Sequence, residues 1–151
     1  LAAKRVRRFD PAPTETPAAE RIVVVGYGRV GKFIPAGLQA RGRDFVLIDD
    51  QADVISLADE KGVETVRGNA AAKDILLEAG VDRSTHLLIA IPVGFEAGGI
   101  ADTARKIKPD LNIIARAHSQ EEVSHLLSHG ASSVVMGEEQ IAREMLRALP
   151  A

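Results

Sequence analysis

Short aliphatic runs alternate with longer amphipathic stretches along most of the chain. The runs are three to five residues long, rich in β-branched side chains and apolar at consecutive positions, as in strands buried on both faces of a sheet. They predict six strands, at 22–25, 45–48, 64–66, 87–91, 112–115 and 133–136. Apolar residues at helical spacing predict six helices, at 30–41, 51–61, 70–79, 95–108, 120–128 and 138–149.

Each predicted strand is followed by a helix, a repeat that favours parallel strands joined by right-handed crossovers. Such crossovers cover both faces of a sheet with helices. Aromatic residues make up only 3% of the chain, which suits an aliphatic core. The pattern therefore predicts an α/β protein with a Rossmann-like, doubly wound, six-stranded parallel sheet in three αβα layers.

Residues 1–20 lack this pattern and contain Pro11, Pro13 and Pro17. We interpret them as a flexible linker, and residues 21–149 as one domain with a single core. The chain begins at Leu1, and we expect it to be a fragment of a longer polypeptide. No apolar run approaches the roughly 20 residues that span a bilayer, so this fragment itself is expected to be soluble.

Charge and composition exclude several functions. Nineteen basic residues against 21 acidic ones give a net charge of −2, so we expect no nucleic-acid partner. The absence of cysteine excludes disulfides, thiol nucleophiles and zinc–thiolate sites. His125 and His129 are four positions apart, but no carboxylate-rich motif accompanies them, and we predict no metal site.

The first strand and the first helix are joined by a glycine-rich loop with the sequence GYGRVG, residues 26–31. In this setting Gly26 permits a tight turn, Gly28 lets backbone amides approach a pyrophosphate, and Gly31 lets helix and strand pack closely. Amides at the start of the helix would hold the anion. Arg29 either contacts phosphate or is solvated, and the alternative for the whole loop is a purely structural turn.

Polar residues follow the next two predicted strands. Asp49 lies where an acid commonly binds the ribose hydroxyls, which favours NAD(H) or an adenosine nucleotide over NADP(H). Asp50 either shares that task or caps the following helix. Asn69 is a candidate N-cap of the third helix whose amide also faces the adenine pocket, beside Ala70.

The ends of the fourth and fifth strands supply further candidates. Ile91 and Pro92 end the fourth strand at the carboxyl edge, where open α/β sheets bind ligands, and would shape a wall. Arg116 ends the fifth strand beside His118, a histidine that either senses pH near a nucleotide or lies in an ordinary loop. Neither strand end supplies a recognisable catalytic group.

Several segments together resemble the N-terminal lobe of regulator-of-potassium-conductance (RCK) domains, also called TrkA-N domains, and most closely the cytoplasmic domain of YbaL-like Kef-type potassium/proton antiporters. The resemblance extends from about Arg21 to Leu149. It is carried by residues 21–31, 68–70, 91–98, 113–118 and 134–138. Glutathione-gated relatives have a second arginine in the segment where this chain reads Arg116-Ala117-His118, which argues against glutathione gating.

The resemblance implies a regulatory, non-enzymatic domain that follows transmembrane helices in the full-length chain, on the cytoplasmic face of the inner membrane. It implies binding of AMP or NAD(H), with contacts from Gly26, Gly28, Arg29, Val30, Gly31, Asp49, Asn69, Ala70 and Ile91; Asp50, Pro92 and Arg116 complete our candidates. The alternative is an NAD-dependent oxidoreductase subunit that lacks its substrate domain.

A second copy of the chain is the other expected partner. The last predicted helix carries an apolar stripe of Ile141, Met145, Leu146 and Leu149. In the family that the chain resembles, this helix crosses to the partner subunit. We therefore predict a homodimer formed through this helix; the alternative is that the stripe folds back on its own sheet.

Overall fold

A computed structural model describes residues 20–151. Its six strands form one parallel sheet in the order β3-β2-β1-β4-β5-β6, which confirms the predicted fold class. The strands are β1 Ile22–Val25, β2 Phe45–Asp49, β3 Thr65–Arg67, β4 His86–Ile89, β5 Asn112–Ala117 and β6 Ser133–Met136. The helices are α1 Phe33–Ala40, α2 Ala52–Glu60, α3 Lys73–Ala79, α4 Gly94–Ile107, α5 Gln120–Ser128 and α6 Gly137–Arg147, with a short 3-10 helix at Val81–Arg83.

Helices cover the two faces of the sheet unequally. On one face, α1 and α2 supply Leu38 and Ala58 to a core that includes Val24 of β1. On the other face, α3, α4 and α5 supply the larger core, with Leu76 and Ile100 among its fully buried side chains. The chain therefore has the predicted three layers around β1 and β2.

The half of the sheet formed by β4, β5 and β6 is buried on one face only. Burial alternates along β4, and Val135 of β6 remains 41% exposed. The crossovers after β4 and β5 place their helices on the opposite face. An apolar groove, which we call the open sheet face, is left here; its lining includes Val30, Ile34, Leu88 and Ile114.

Several predicted boundaries differ from the structure, and three of them bear on the candidate site. Helix α1 begins at Phe33 rather than at residue 30, because the preceding residues form a turn in which the Lys32 amide donates to the Gly28 carbonyl at 3.0 Å. Strand β4 ends at Ile89, two residues early. Strand β5 continues to Ala117, so Arg116 lies inside the strand rather than beyond it.

Two sequence-based predictions concern the ends of the chain. The predicted linker, residues 1–20, lies outside the described residues except for Glu20, whose carboxylate pairs with Arg43. Helix α6 buries none of its residues, and Ile141, Met145, Leu146 and Leu149 are each 63–69% exposed. Within residues 20–151, no helix has the length and apolar character needed to cross a membrane.

Candidate functional site

A pocket opens at the carboxyl edge of the sheet, between the ends of β1, β2, β3 and β4. Open α/β sheets bind ligands at this edge, where the strand order reverses, and here the reversal lies between β1 and β4. Six of the predicted site residues line the pocket: Gly26, Asp49, Asp50, Asn69, Ala70 and Ile91. Val25, Ile48, Gly68, Glu96 and Ile100 complete the lining.

The three glycines of the loop meet different surroundings. Gly26 has a φ of +98°, and a Cβ there would lie 2.9 Å from Cγ2 of Ile91. A Cβ on Gly31 would lie only 1.9 Å from the carbonyl oxygen of Gly26, so the loop closes tightly on itself. Gly28 is exposed and has no atom within 4 Å of a Cβ position. The loop thus leaves open space beside Gly28.

Asp49 fastens the glycine loop to the end of β2. Its Oδ2 accepts a hydrogen bond from the Tyr27 amide at 3.1 Å, and its Oδ1 accepts one from the Gln51 amide at 3.0 Å. Each carboxylate oxygen accepts more than one bond, so both can also accept from ligand hydroxyls. Gln51, rather than either acid, is the N-cap residue of α2. The suggestion that Asp50 caps this helix is therefore wrong.

Asn69 lies before the third helix without capping it. Its Oδ1 accepts a hydrogen bond from the Ala71 amide at 2.9 Å, which forms an Asx turn, whereas α3 begins later and has Ala72 as its N-cap residue. The predicted N-cap is thus wrong, because the asparagine stabilises a separate turn between β3 and the helix. Its side-chain NH₂ group remains as a donor at the pocket.

The remaining predicted residues do not line this pocket. Arg29 and Pro92 are exposed nearby, whereas Val30 and Arg116 line the open sheet face. The Arg116 guanidinium donates to the Ala90 carbonyl at 3.3 Å, one residue before Ile91. Arg116 therefore supports the pocket wall from behind. The sequence predicted that Arg116 lies near the carboxyl edge of the sheet. It did not predict that the side chain lies on the open sheet face rather than in the pocket.

Glu96 and Ile100 are pocket residues that the sequence interpretation missed. They are four positions apart on α4, so they share one face of that helix. This i, i+4 spacing directly after β4 is the signal that would have identified them. Their addition makes the lining acidic, with Asp49, Asp50 and Glu96 and no basic side chain.

The pocket can bind a polar ligand that presents hydroxyl donors and an apolar ring. The carboxylates accept hydrogen bonds, the glycine loop offers amides, and Ala70, Ile91 and Ile100 supply apolar contacts. Nowhere in residues 20–151 do three or more His, Cys, Asp or Glu side chains form a group that could hold a metal ion. Carboxylates, exposed loop amides and an apolar wall are the features that recognise a nucleoside with a phosphate.

Comparison with known proteins agrees with this geometry. The family described as the TrkA-N domain matches residues 22–137. YbaL of Escherichia coli strain K12, named as a cation/proton antiporter, is 42% identical over 127 residues. The match covers 84% of this chain but only 23% of YbaL, so this chain spans about a quarter of that relative.

Two solved structures extend the comparison. The TrkA-N domain of the E. coli inner membrane protein YbaL is 41% identical with a TM-score of 0.82, and the match covers 87% of this chain and 98% of that one. The C-terminal domain of Shewanella denitrificans Kef, solved in an AMP-bound form, is 28% identical with a TM-score of 0.69, and the match covers 83% and 76% of the two chains.

Proposed function

This chain belongs to the TrkA-N domain family, and from that membership we propose that it is the nucleotide-binding regulatory domain of a Kef-type potassium/proton antiporter. The observation that carries the proposal is the pocket at the β1–β4 edge, which joins the glycine loop to Asp49, Asn69 and Ile91. Occupancy of this pocket would bias the transport domain through its different affinity for two states of the protein. The domain itself would catalyse no reaction.

AMP or NAD(H) is the ligand that fits this pocket best. The Shewanella Kef domain, solved with AMP, shares the fold and 28% of its residues with this chain. The carboxylate of Asp49 suits a ribose with both hydroxyls free. A 2′-phosphate would meet Asp49, Asp50 and Glu96 without any basic side chain in the lining, so NADP(H) would be rejected.

The proposed contacts follow the placement of the side chains. Gly26, Asp49, Asp50, Asn69, Ala70 and Ile91 line the pocket and would contact the nucleotide, together with the amides of Gly28 and Gly31. Arg29 is close enough in sequence to reach a phosphate from the same loop. Val30, Pro92 and Arg116 would act indirectly, through the shape of the wall.

Nucleotide binding is testable by thermal denaturation. A ligand that binds only the folded chain, at about 100 times its dissociation constant, adds about 2.7 kcal/mol of stability, and AMP and NAD(H) should both raise Tm accordingly. Gly28→Val fills the open space beside the loop without an internal clash, so this variant should fold but lose the AMP effect. An AMP effect of undiminished size in Gly28→Val would refute the site, and NADH turnover by the chain would favour the oxidoreductase alternative.

Ligand choice is testable with Asp49→Asn, measured by calorimetric titration. The amide keeps one acceptor for the Tyr27 or Gln51 amide but loses the charge that binds ribose hydroxyls and repels a 2′-phosphate. We expect weaker binding of AMP and NAD(H) and a smaller preference over NADP(H). The matched control is Asp53→Asn, an exposed acid on α2 outside the pocket lining. Equal affinity of the unmodified chain for NAD(H) and NADP(H) would contradict the assignment.

We also propose that the domain forms a homodimer through α6. The apolar stripe of this helix is unburied in the chain, and the open sheet face offers a second unburied apolar surface. Exposed apolar surfaces of this kind mark association sites. Packing of α6 against a second copy would remove both the stripe and part of the groove from water.

The dimer is testable by light scattering. Met145→Glu introduces a charge into the stripe and should give a monomer at concentrations where the unmodified chain is dimeric. Gln140→Glu introduces the same charge on the polar side of α6, where Gln140 faces β6 and α5, and should leave the dimer intact. A purely monomeric unmodified chain at high micromolar concentration would rule out the dimer.

A transmembrane domain, a transported cation and a cytoplasmic orientation are proposed for the longer protein to which this domain would belong. We propose that residues 21–149 follow a transport domain in that chain, because the matched part of YbaL is only 23% of its length. Cation/proton exchange by the full-length protein in membrane vesicles should respond to AMP on the side that exposes this domain. The response should be reduced by Gly28→Val.

A further inference from the structure

A chain of three side chains connects the wall of the pocket to the first turn of α6. Arg116 of β5 donates from Nη1 to the Ala90 carbonyl, and its Nη2 lies 3.0 Å from Nε2 of His118. Nδ1 of His118 lies 3.4 Å from Oε2 of Glu138. Ala90 precedes the pocket residue Ile91, and Glu138 is the second residue of α6.

The partners of His118 define which of its ring nitrogens can accept a hydrogen bond and which can donate one. A guanidinium can only donate hydrogen bonds, so Nε2 of His118 must be the acceptor. A neutral imidazole that accepts at Nε2 would carry its proton on Nδ1 and donate it to the Glu138 carboxylate. His118 thus lies between a cation at Nε2, the Arg116 guanidinium, and an anion at Nδ1, the Glu138 carboxylate.

The contact with Glu138 matters because α6 is poorly anchored. None of its residues is buried, so its position depends on β6 and on contacts such as this one. The side chain of His118 is 38% exposed and that of Glu138 is 60% exposed, so both are accessible to water and protons. A change in the charge of His118 would act directly on the start of α6.

We propose that His118 is a positioning residue that couples the pocket wall to α6, and that protonation of His118 breaks this coupling on the Arg116 side. The proposal rests on the proposed function, in which the pocket binds a nucleotide and α6 forms the dimer. Imidazolium would present an N–H to the guanidinium, so two cations would face each other at Nε2. Arg116 would then separate from His118, while the bond to Glu138 would gain charge.

Charged groups from three elements face His118. Arg116 comes from β5 and Glu138 from α6, and Glu122 of α5 accepts a hydrogen bond from the His118 backbone amide at 2.6 Å. Glu122 holds the backbone and is itself part of the α5 N-terminus, where its amide donates to Ser119. Protonation therefore changes two side-chain contacts while the backbone of His118 stays fixed.

The test is a titration of the labelled chain by NMR, without nucleotide, from about pH 5 to pH 8, the range in which histidine charge changes are observed. The amides of Ile91 and Glu138 should shift with the same midpoint as the His118 ring. His118→Gln should abolish both shifts. His86→Gln, the same substitution at the opposite, amino edge of β4, should preserve them.

The contact of His118 with Glu138 and its contact with Arg116 can be removed separately. In Glu138→Gln the amide at position 138 should no longer shift with the His118 ring, whereas the Ile91 amide still should. In Arg116→Met the Ile91 amide should no longer shift with the ring, whereas the Glu138 amide still should. Midpoints at Ile91 and Glu138 that differ from that of the His118 ring, or shifts that persist in His118→Gln, would overturn the coupling.

Addition of AMP distinguishes the two proposals. If both hold, AMP moves the His118 midpoint, and by thermodynamic reciprocity the AMP affinity varies with pH in the unmodified chain but not in His118→Gln. Absence of AMP binding would refute the proposed function. The coupling would still be tested independently, because the shifts of Ile91 and Glu138 are measured without nucleotide. AMP binding whose affinity has the same pH dependence in both chains would refute the coupling alone.

Discussion

Substitution of Gly31 by alanine tests the packing of the glycine loop. The added Cβ would lie 1.9 Å from the Gly26 carbonyl oxygen and 2.7 Å from its carbon. Restoring ordinary contact distances requires a movement of roughly 1.5 Å, which a side chain could make but this backbone cannot. The Gly26 amide is bonded to the Ile48 carbonyl at 2.9 Å, and the Tyr27 amide is bonded to Asp49.

The expected loss follows from these contacts. Overpacked cores lose about 1–3 kcal/mol when side chains can adjust, and here hydrogen-bonded backbone must move, so we expect about 3 kcal/mol. For a chain of this length each kcal/mol lowers Tm by about 2–4 °C, which gives a fall of roughly 6–12 °C. Calorimetry of Gly31→Ala checks this value. Gly28→Ala is the matched control, because its Cβ would meet no atom within 4 Å. A Gly31→Ala chain with the same Tm as Gly28→Ala would refute the reasoning.

Two further predictions concern structural contacts away from the pocket. Ser119→Ala removes the N-cap of α5, whose side chain accepts from the Glu122 amide, and should cost about 1 kcal/mol in urea denaturation. Ser56→Ala, at an exposed position of α2, should cost nothing. Arg105→Met removes a guanidinium that donates to the carbonyls of Pro109, Leu111 and Gly130, and should cost about 2 kcal/mol. Lys106→Met, at the exposed neighbouring position, is the control for Arg105→Met. Equal losses of stability in the two variants would contradict the structural role assigned to the Arg105 guanidinium.

The sequence was sufficient for the architecture because strand identity depends on local composition. The apolar runs at β1 and β2 are buried at nearly every position, as their uniform pattern predicts. The glycine spacing and Asp49 located the carboxyl edge, because the ends of parallel strands share one edge. Ile91 could be placed at the pocket for the same reason.

Other features depend on distances that a linear pattern does not contain. The run at β4 is as apolar as that at β1, yet burial alternates along it, because the topology leaves one face without a helix. Asn69 forms a turn instead of a cap, since the helix begins four residues later at Lys73. Arg116 lies on the open sheet face, with Ile114, because side chains alternate between the two faces along β5. Glu96 lines the pocket from the first turn of α4.

The strand order also bears on folding kinetics. Ile22 pairs with Phe45 on one side and with His86 on the other, so β1 meets its second neighbour only after a much longer segment of chain has been closed into a loop. The pocket lies across this seam, with Gly26 and Asp49 on the early side and Ile91 on the late side. A molecule bound there would hold together the two parts of the chain that are joined by this longer loop, and its effect should appear mainly as slower unfolding.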